Sequence, residues 1–198
     1  MLTNRRRTSR RRAFIQTYAF PSALRAKLRK HFDDEHQVDV ALEGLREWYL
    51  ASLAARGQML GMPSRAVDIA WHEMILMTRT YHWFCDHAFG YYLHHAPEAV
   101  MDEPMEDGLA RTLQVLEGQS PAAIAGVPLL FAVDDELGFA DGYLWRAEEI
   151  DRLRSLRLNA RAARRYADYS PHGHGCGGGG DGGGGGGGCG GGGCGGGG

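Results

Sequence analysis

Between Gly173 and Gly198 the chain reads GHGCGGGGDGGGGGGGCGGGGCGGGG, and this tract constrains the fold more than any other feature. It holds 21 of the 30 glycines. Polyglycine loses the most backbone freedom on folding and has no side chains to pack, so the segment is expected to be a disordered coil. The folding portion should therefore end near residue 165, leaving about 140 residues, enough for one sizeable core. The expected division is a basic arm over 1–13, a helical domain over 14–145, a charged helical extension over 146–170 and a Gly/Cys-rich tail over 171–198.

The formal charge of −2 conceals an asymmetry. Ten of the 22 basic residues lie in the first 30 positions, which contain no acid; the remainder carries 24 acids against 12 bases. Arginine outnumbers lysine twenty to two, a bias that reads as a GC-rich bacterial genome. "SRRRAFIQ" looks like a twin-arginine export signal, but Gln16, Thr17 and Pro21 break the apolar run that export requires. A solvated basic arm is the better reading, with loose nucleic-acid or membrane-surface attraction as its minor alternative and no specific nucleic-acid binding expected. No stretch approaches the roughly 20 apolar residues of a membrane span. One core cysteine and three in the tail suit a reducing cytoplasm.

Periodicity points to helices. Pro21 and Ser22 can open a short one through Leu24, Leu28 and Phe32. Asp33 and Asp34 supply caps for a longer one through Val38, Leu42, Leu45, Tyr49 and Leu53, which Gly57 to Pro63 ends. Ser64 caps the next. A helix through Met101, Leu109, Leu113 and Leu116 is interrupted by Pro104 and Gly108, and "VPLLFAVDDELG" fits either a proline-led helix or a buried strand. From Trp145 to Arg165 acids precede bases, matching a helix dipole. Strict alternation is scarce, so the fold class is all-α: one compact helical domain between a basic arm and a disordered tail.

"VDIAWHEMILMTRTYHWFC", residues 67 to 85, concentrates the chemistry. At about 100° per residue from Asp68, the residues Val67, Ala70, Trp71, Met74, Ile75, Met77 and Thr78 share the core arc, while Asp68, His72 and Arg79 fall near 0°, 40° and 20° along its edge. A carboxylate four residues before an imidazole can orient the ring, and a nearby guanidinium can hold that carboxylate. Asp68, Trp71, His72, Arg79 and Tyr81 are thus the candidates for a binding site or polar network. If the helix continues or restarts at Thr80, His82 and Cys85 share a face with Asp86, and His87, His94 or His95 could close a site. His72, His82, Cys85, His94 and His95 form the candidate ligand set for zinc or another transition metal. Neither H-E-x-x-H nor C-x-x-C occurs. Cys85, beside Phe84, reads as a small buried apolar residue, and a Cys/His nucleophilic pair lacks an orienting third group.

"VDIAWHEMILMTRTYHWFCDHAFGYYLHHAP", with "FIQTYAFPSALRAKL" upstream and "VPLLFAVDDELGFADG" downstream, resembles bacterial uncharacterised proteins related to the plant glycine-rich domain-containing protein family. The shared pattern is D-x-x-W-H, then I-L-x-T-R-x-Y-x-x-F-C, then F-G and L-H-H, over about Phe14 to Gly142. The resemblance implies no established activity or cofactor. Relatives of that kind carry cysteines and histidines just before the glycine tract, whereas Trp145 to Tyr169 has neither.

The tail is no phosphate-cradling loop, because it lacks the following lysine and hydroxyl residue. Cys176, Cys189 and Cys194 match neither a zinc ribbon nor a compact disulfide framework. His172, His174 and Cys176 alternate and could capture a soft metal, and the tail thiols could tether or be modified as an enzyme substrate. Two functional classes result: a non-enzymatic binding module displaying the tail to an unknown protein or small-molecule partner, and a metal-binding protein or metal-dependent enzyme built on residues 68–95.

Overall fold

A computed structural model describes residues 2–96, 104–119, 123–124 and 126–156. Its organising element is α3 (Glu35–Ala55), a 21-residue helix against which α1 (Leu2–Thr17), α4 (Arg65–Leu76), α6 (Met105–Glu117) and α7 (Leu129–Glu136) all pack. Asp34 accepts from Gln37 N at 2.8 Å while Gln37 Oε1 accepts from Asp33 N at 2.8 Å, so two otherwise unsatisfied amides at the start of α3 are paired reciprocally. Arg56 at φ 53° and Gly57 at φ 82° turn the chain out of the helix. Between these ends Val38, Ala41, Leu45, Tyr49 and Ala51 have no solvent exposure.

Gly44 sets the depth of this packing. A Cβ there would stand 2.5 Å from Val67 Cγ2 and 2.9 Å from Val133 Cγ2, so its absence lets α4 and α7 close on α3. A second close approach joins Gly61 to Gly108, where a Cβ on Gly61 would lie 2.7 Å from the Leu109 amide nitrogen. Gly108, read from sequence as an interruption, is therefore an interior residue of α6 that provides backbone contact, and Pro104 is the residue that begins the helix.

The short α2 (Ser22–Leu28) buries Leu24 and Leu28, with Phe32 buried just beyond its end. It is clasped to α4 through Glu73, which takes Lys27 Nζ at 2.6 Å and His31 Nε2 at 3.1 Å. The basic N-terminal segment is helical. Ile15 of α1 is buried, and the carbonyls of Ile15 and Tyr18 accept from Arg46 Nη1 of α3 at 2.6 and 3.1 Å. After α6 come the two-residue strands β1 (Ala123–Ile124) and β2 (Val127–Pro128), paired antiparallel. Pro128 then leads α7, so the ambiguous "VPLLF" segment resolves as a proline-led helix. Finally α8 (Ala147–Ser155) lays Ile150 and Leu153 onto α6, with Arg152 and Arg154 paired to Glu106 and Glu117.

The protein is mostly α-helical, as expected. Among the described residues no helix is long and apolar enough to cross a membrane. The helix anticipated around Met101, the extension beyond Leu156 and the tail with His172, His174, Cys176, Cys189 and Cys194 lie outside the described residues.

Candidate functional site

The segment 67–85 is two helices. Ser64 caps α4, its Oγ accepting from Val67 N at 3.1 Å, and α4 ends at Leu76 because Met77 adopts φ −84°, ψ 58°. The chain restarts at once as α5 (Thr78–Ala88). This break corrects the single-helix stripe: Arg79 and Thr78 belong to α5 and are exposed, so Arg79 does not join Asp68 and His72, and Thr78 is not in the core. Upstream of the break the angular reading holds, with Val67, Ala70, Trp71 and Met74 buried.

The position of α4 depends on a residue that periodicity alone passed over. Asp134 of α7 is fully buried and accepts four hydrogen bonds. Its Oδ1 takes Ser64 Oγ at 2.6 Å and Ala66 N at 3.0 Å; its Oδ2 takes Arg65 N and Tyr143 N, both at 2.8 Å. A carboxylate at the positive end of a helix, with each oxygen doubly satisfied, fixes where α4 begins. Its sequence signal is its place three and four residues from Phe131 and Leu130, which puts an acid on the apolar stripe of α7. Gly142 allows the returning loop to reach it, since a Cβ there would meet Asp134 Cβ at 2.6 Å.

Asp68 sits in the first turn of α4 and His72 one turn later. His72 Nδ1 lies 2.8 Å from the Asp68 backbone oxygen and 3.4 Å from its Oδ2. A carbonyl only accepts, so Nδ1 carries a proton, and in the neutral ring the lone pair is on Nε2. The third member, His95, comes from the segment after α5. Gly90 at φ 76° turns that segment back, and Tyr81 Oη donates to Leu93 O at 2.6 Å while accepting from Trp71 Nε1 at 2.9 Å. The tether carries His95 onto the α4 edge, where its Nε2 meets Asp68 Oδ1 at 3.0 Å. Its ring stands 4.7 Å from that of Trp71 and 4.2 Å from that of His72.

One ligand atom from each of Asp68, His72 and His95 falls within 4.8 Å of the others. This is the one His/Cys/Asp/Glu trio of that kind among the described residues. Zinc bonds of about 2.0 to 2.1 Å require ligand atoms roughly 3.4 Å apart, so closing the trio around an ion takes at most about 1.4 Å of side-chain movement. His72, half exposed, has room to make it.

The other anticipated ligands lie elsewhere. His82 is exposed and faces Asp86, 3.6 Å away on its own helix. His94 stacks on Tyr92 with ring centroids 4.8 Å apart, and His87 stacks on Trp83 at 4.1 Å. Cys85 is fully buried, and burial pushes its thiol up to about 11, so it is held as a neutral thiol. The five-residue set His72, His82, Cys85, His94 and His95 is therefore not assembled, because α5 turns His82 to solvent and Cys85 to the core. Within the polar set, Trp71 and Tyr81 support the trio through His95 while Arg79 stands apart.

No curated protein and no solved structure matches the chain. One family model does, UCP032817-like, over residues 10–166. That family is uncharacterised and is not the glycine-rich domain-containing family, so the resemblance drawn from the D-x-x-W-H and L-H-H patterns is corrected. With most of its length matched, including every helix that builds the trio, the chain belongs to the UCP032817-like family.

Proposed function

We propose that this helical domain is a metal-binding module that holds one divalent transition-metal ion through Asp68, His72 and His95. The observation that carries the reading is the convergence of two imidazoles and a carboxylate, with ligand atoms within 4.8 Å, from positions 27 residues apart in sequence. Two imidazoles and one carboxylate suit zinc or iron(II), and a three-ligand set leaves coordination positions open to water or a small molecule. His72 already has the arrangement common to metal-ligating histidines, one ring nitrogen donating to a backbone carbonyl and the other free. Ligation through His95 Nε2 would need the ring proton on Nδ1, the ion then taking the place of the hydrogen bond between Nε2 and Asp68 Oδ1.

The test is metal stoichiometry of the full-length chain carrying His172→Ala, His174→Ala, Cys176→Ser, Cys189→Ser and Cys194→Ser, which removes the tail's own histidine and thiol ligands. Elemental analysis after growth with zinc or iron should find about one equivalent, and His95→Ala should abolish it while leaving the helical signal intact. Metal well below one equivalent, or full retention by His95→Ala, would sink the proposal.

A further inference from the structure

Six arginines occupy positions 5 to 12 of α1, and the two faces of the helix treat them differently. On the inner side Ile15 is buried, Arg12 Nη1 donates to Gln119 Oε1 at 2.8 Å and Arg11 lies against Gly90. With the bonds from Arg46 to the carbonyls of Ile15 and Tyr18, these contacts seat the C-terminal half of α1 on the domain. Arg5, Arg6 and Arg10 are exposed and make no ion pair with the described residues. By contrast, Arg25, Arg29, Arg152 and Arg154 each meet a carboxylate. At about 100° per residue the three unpaired guanidinia fall within a 140° arc shared with Ser9, Ala13 and Gln16. Leu2, at about 60°, is the one large apolar residue that the sequence places in that arc.

We propose that this outward face of α1 binds the phosphate backbone of nucleic acid without reading its sequence. A guanidinium presents paired N–H groups to two phosphate oxygens and is weakly hydrated, which suits it to contacts that position a protein without specifying a base. Cations in the first turns of a helix sit at the positive end of its macrodipole, where no acid of this helix offsets them. An external polyanion relieves that unfavourable concentration of charge. One leucine, with no other large apolar residue on this arc from Arg5 to Gln16, is far short of the continuous apolar face that a helix lying in a lipid interface inserts. Beyond residue 30 acids outnumber bases 24 to 12, so attraction is confined to this face and binding is weak and salt-sensitive.

The inference is independent of the metal reading. Its test is fluorescence anisotropy of labelled mixed-sequence oligonucleotides, single-stranded and duplex, titrated with the full chain at several salt concentrations. Neutralising three phosphates gives a slope of log K against log salt near −2.7 on duplex DNA, or about a 40-fold loss between about 50 and 200 mM salt. The triple variant Arg5→Gln, Arg6→Gln, Arg10→Gln should lose at least about tenfold at the lower salt and most of the slope. A charge-matched control, Arg29→Gln with Arg152→Gln and Arg154→Gln, should stay within about twofold of the parent, because those guanidinia are already paired. Circular dichroism checks that both variants remain folded. No binding at the lower salt, equal loss in the control, or capture by phosphatidylglycerol vesicles without oligonucleotide binding would each overturn the proposal.

Discussion

Asp134→Asn changes almost nothing in volume and replaces one acceptor oxygen by a donor, which makes it a sharp probe of how α4 is held. In the native protein the carboxylate accepts from Ser64 Oγ and Ala66 N on one oxygen and from Arg65 N and Tyr143 N on the other. Whichever way the amide is turned, its NH2 faces two groups that donate to the native carboxylate, and two hydrogen bonds are lost. Hydrogen bonds to a charged group contribute about 1.5 to 3 kcal/mol each, and the lost charge at a helix N-terminus adds about 0.3 to 2 kcal/mol. Ser64 Oγ can rotate away from one conflict, so the expected loss is about 3 to 5 kcal/mol. Urea unfolding measures it as a lower midpoint at unchanged m-value. Ser64→Ala removes the Val67 cap and one bond to Asp134, costing about 1 to 2 kcal/mol, and the double variant should cost less than the sum because the two side chains share a bond. A loss below about 1 kcal/mol for Asp134→Asn, or strict additivity with Ser64→Ala, would refute the view that this carboxylate anchors α4.

Tyr81→Phe leaves the Trp71 indole N–H without its acceptor and the Leu93 carbonyl without its donor, so stability should fall by about 2 to 3 kcal/mol in thermal or urea melts. The same variant should weaken metal uptake by loosening the segment that carries His95; unchanged uptake would mean the tether is not what positions that ring. Lys27, and secondarily His31, hold the Glu73 carboxyl below its ordinary range against an opposing effect of burial. Glu73 therefore stabilises the fold above the unfolded carboxylate pKa of about 4.3, and that contribution is lost as pH falls through its lower folded value. Glu73→Gln should cost about 0.5 to 1 kcal/mol at neutral pH, since Lys27 is partly exposed, and the gap to the parent should close in acid; a gap constant with pH would contradict the pairing. In a chain whose tail cysteines are replaced by serine, Cys85 should resist a neutral disulfide reagent at pH 8, where roughly one thiol in a thousand is ionised, and react once urea unfolds the protein. Rapid labelling of the folded form would contradict its burial.

The helices were legible because their signals are local. Asp34 and Ser64 cap where a short polar side chain precedes an apolar period, and both caps form. The stripe Val67, Ala70, Trp71, Met74 is buried as its angles require. A restart near Thr80 was one of two open readings, but nothing in "ILMTRT" forbids a continuous helix or places the break at Met77, and the misplacement of Arg79 and Thr78 follows from that one backbone conformation. The family resemblance failed for a different reason: it rested on short aromatic and histidine patterns, and the match over residues 10–166 points to another family.

By itself the sequence determined the helical class, the caps, four buried positions of α3 and most of those of α4, and Asp68 with His72 as neighbours one turn apart, because each depends on residues within a few positions of one another. Only the tertiary structure decided which histidine joins them. Choosing His95 over His82 or His94 required the turn at Gly90 and the Tyr81 bond to Leu93, and placing α4 required Asp134 from a helix about 70 residues further along the chain. Such pairings depend on chain closure between distant segments, and no local periodicity encodes that distance.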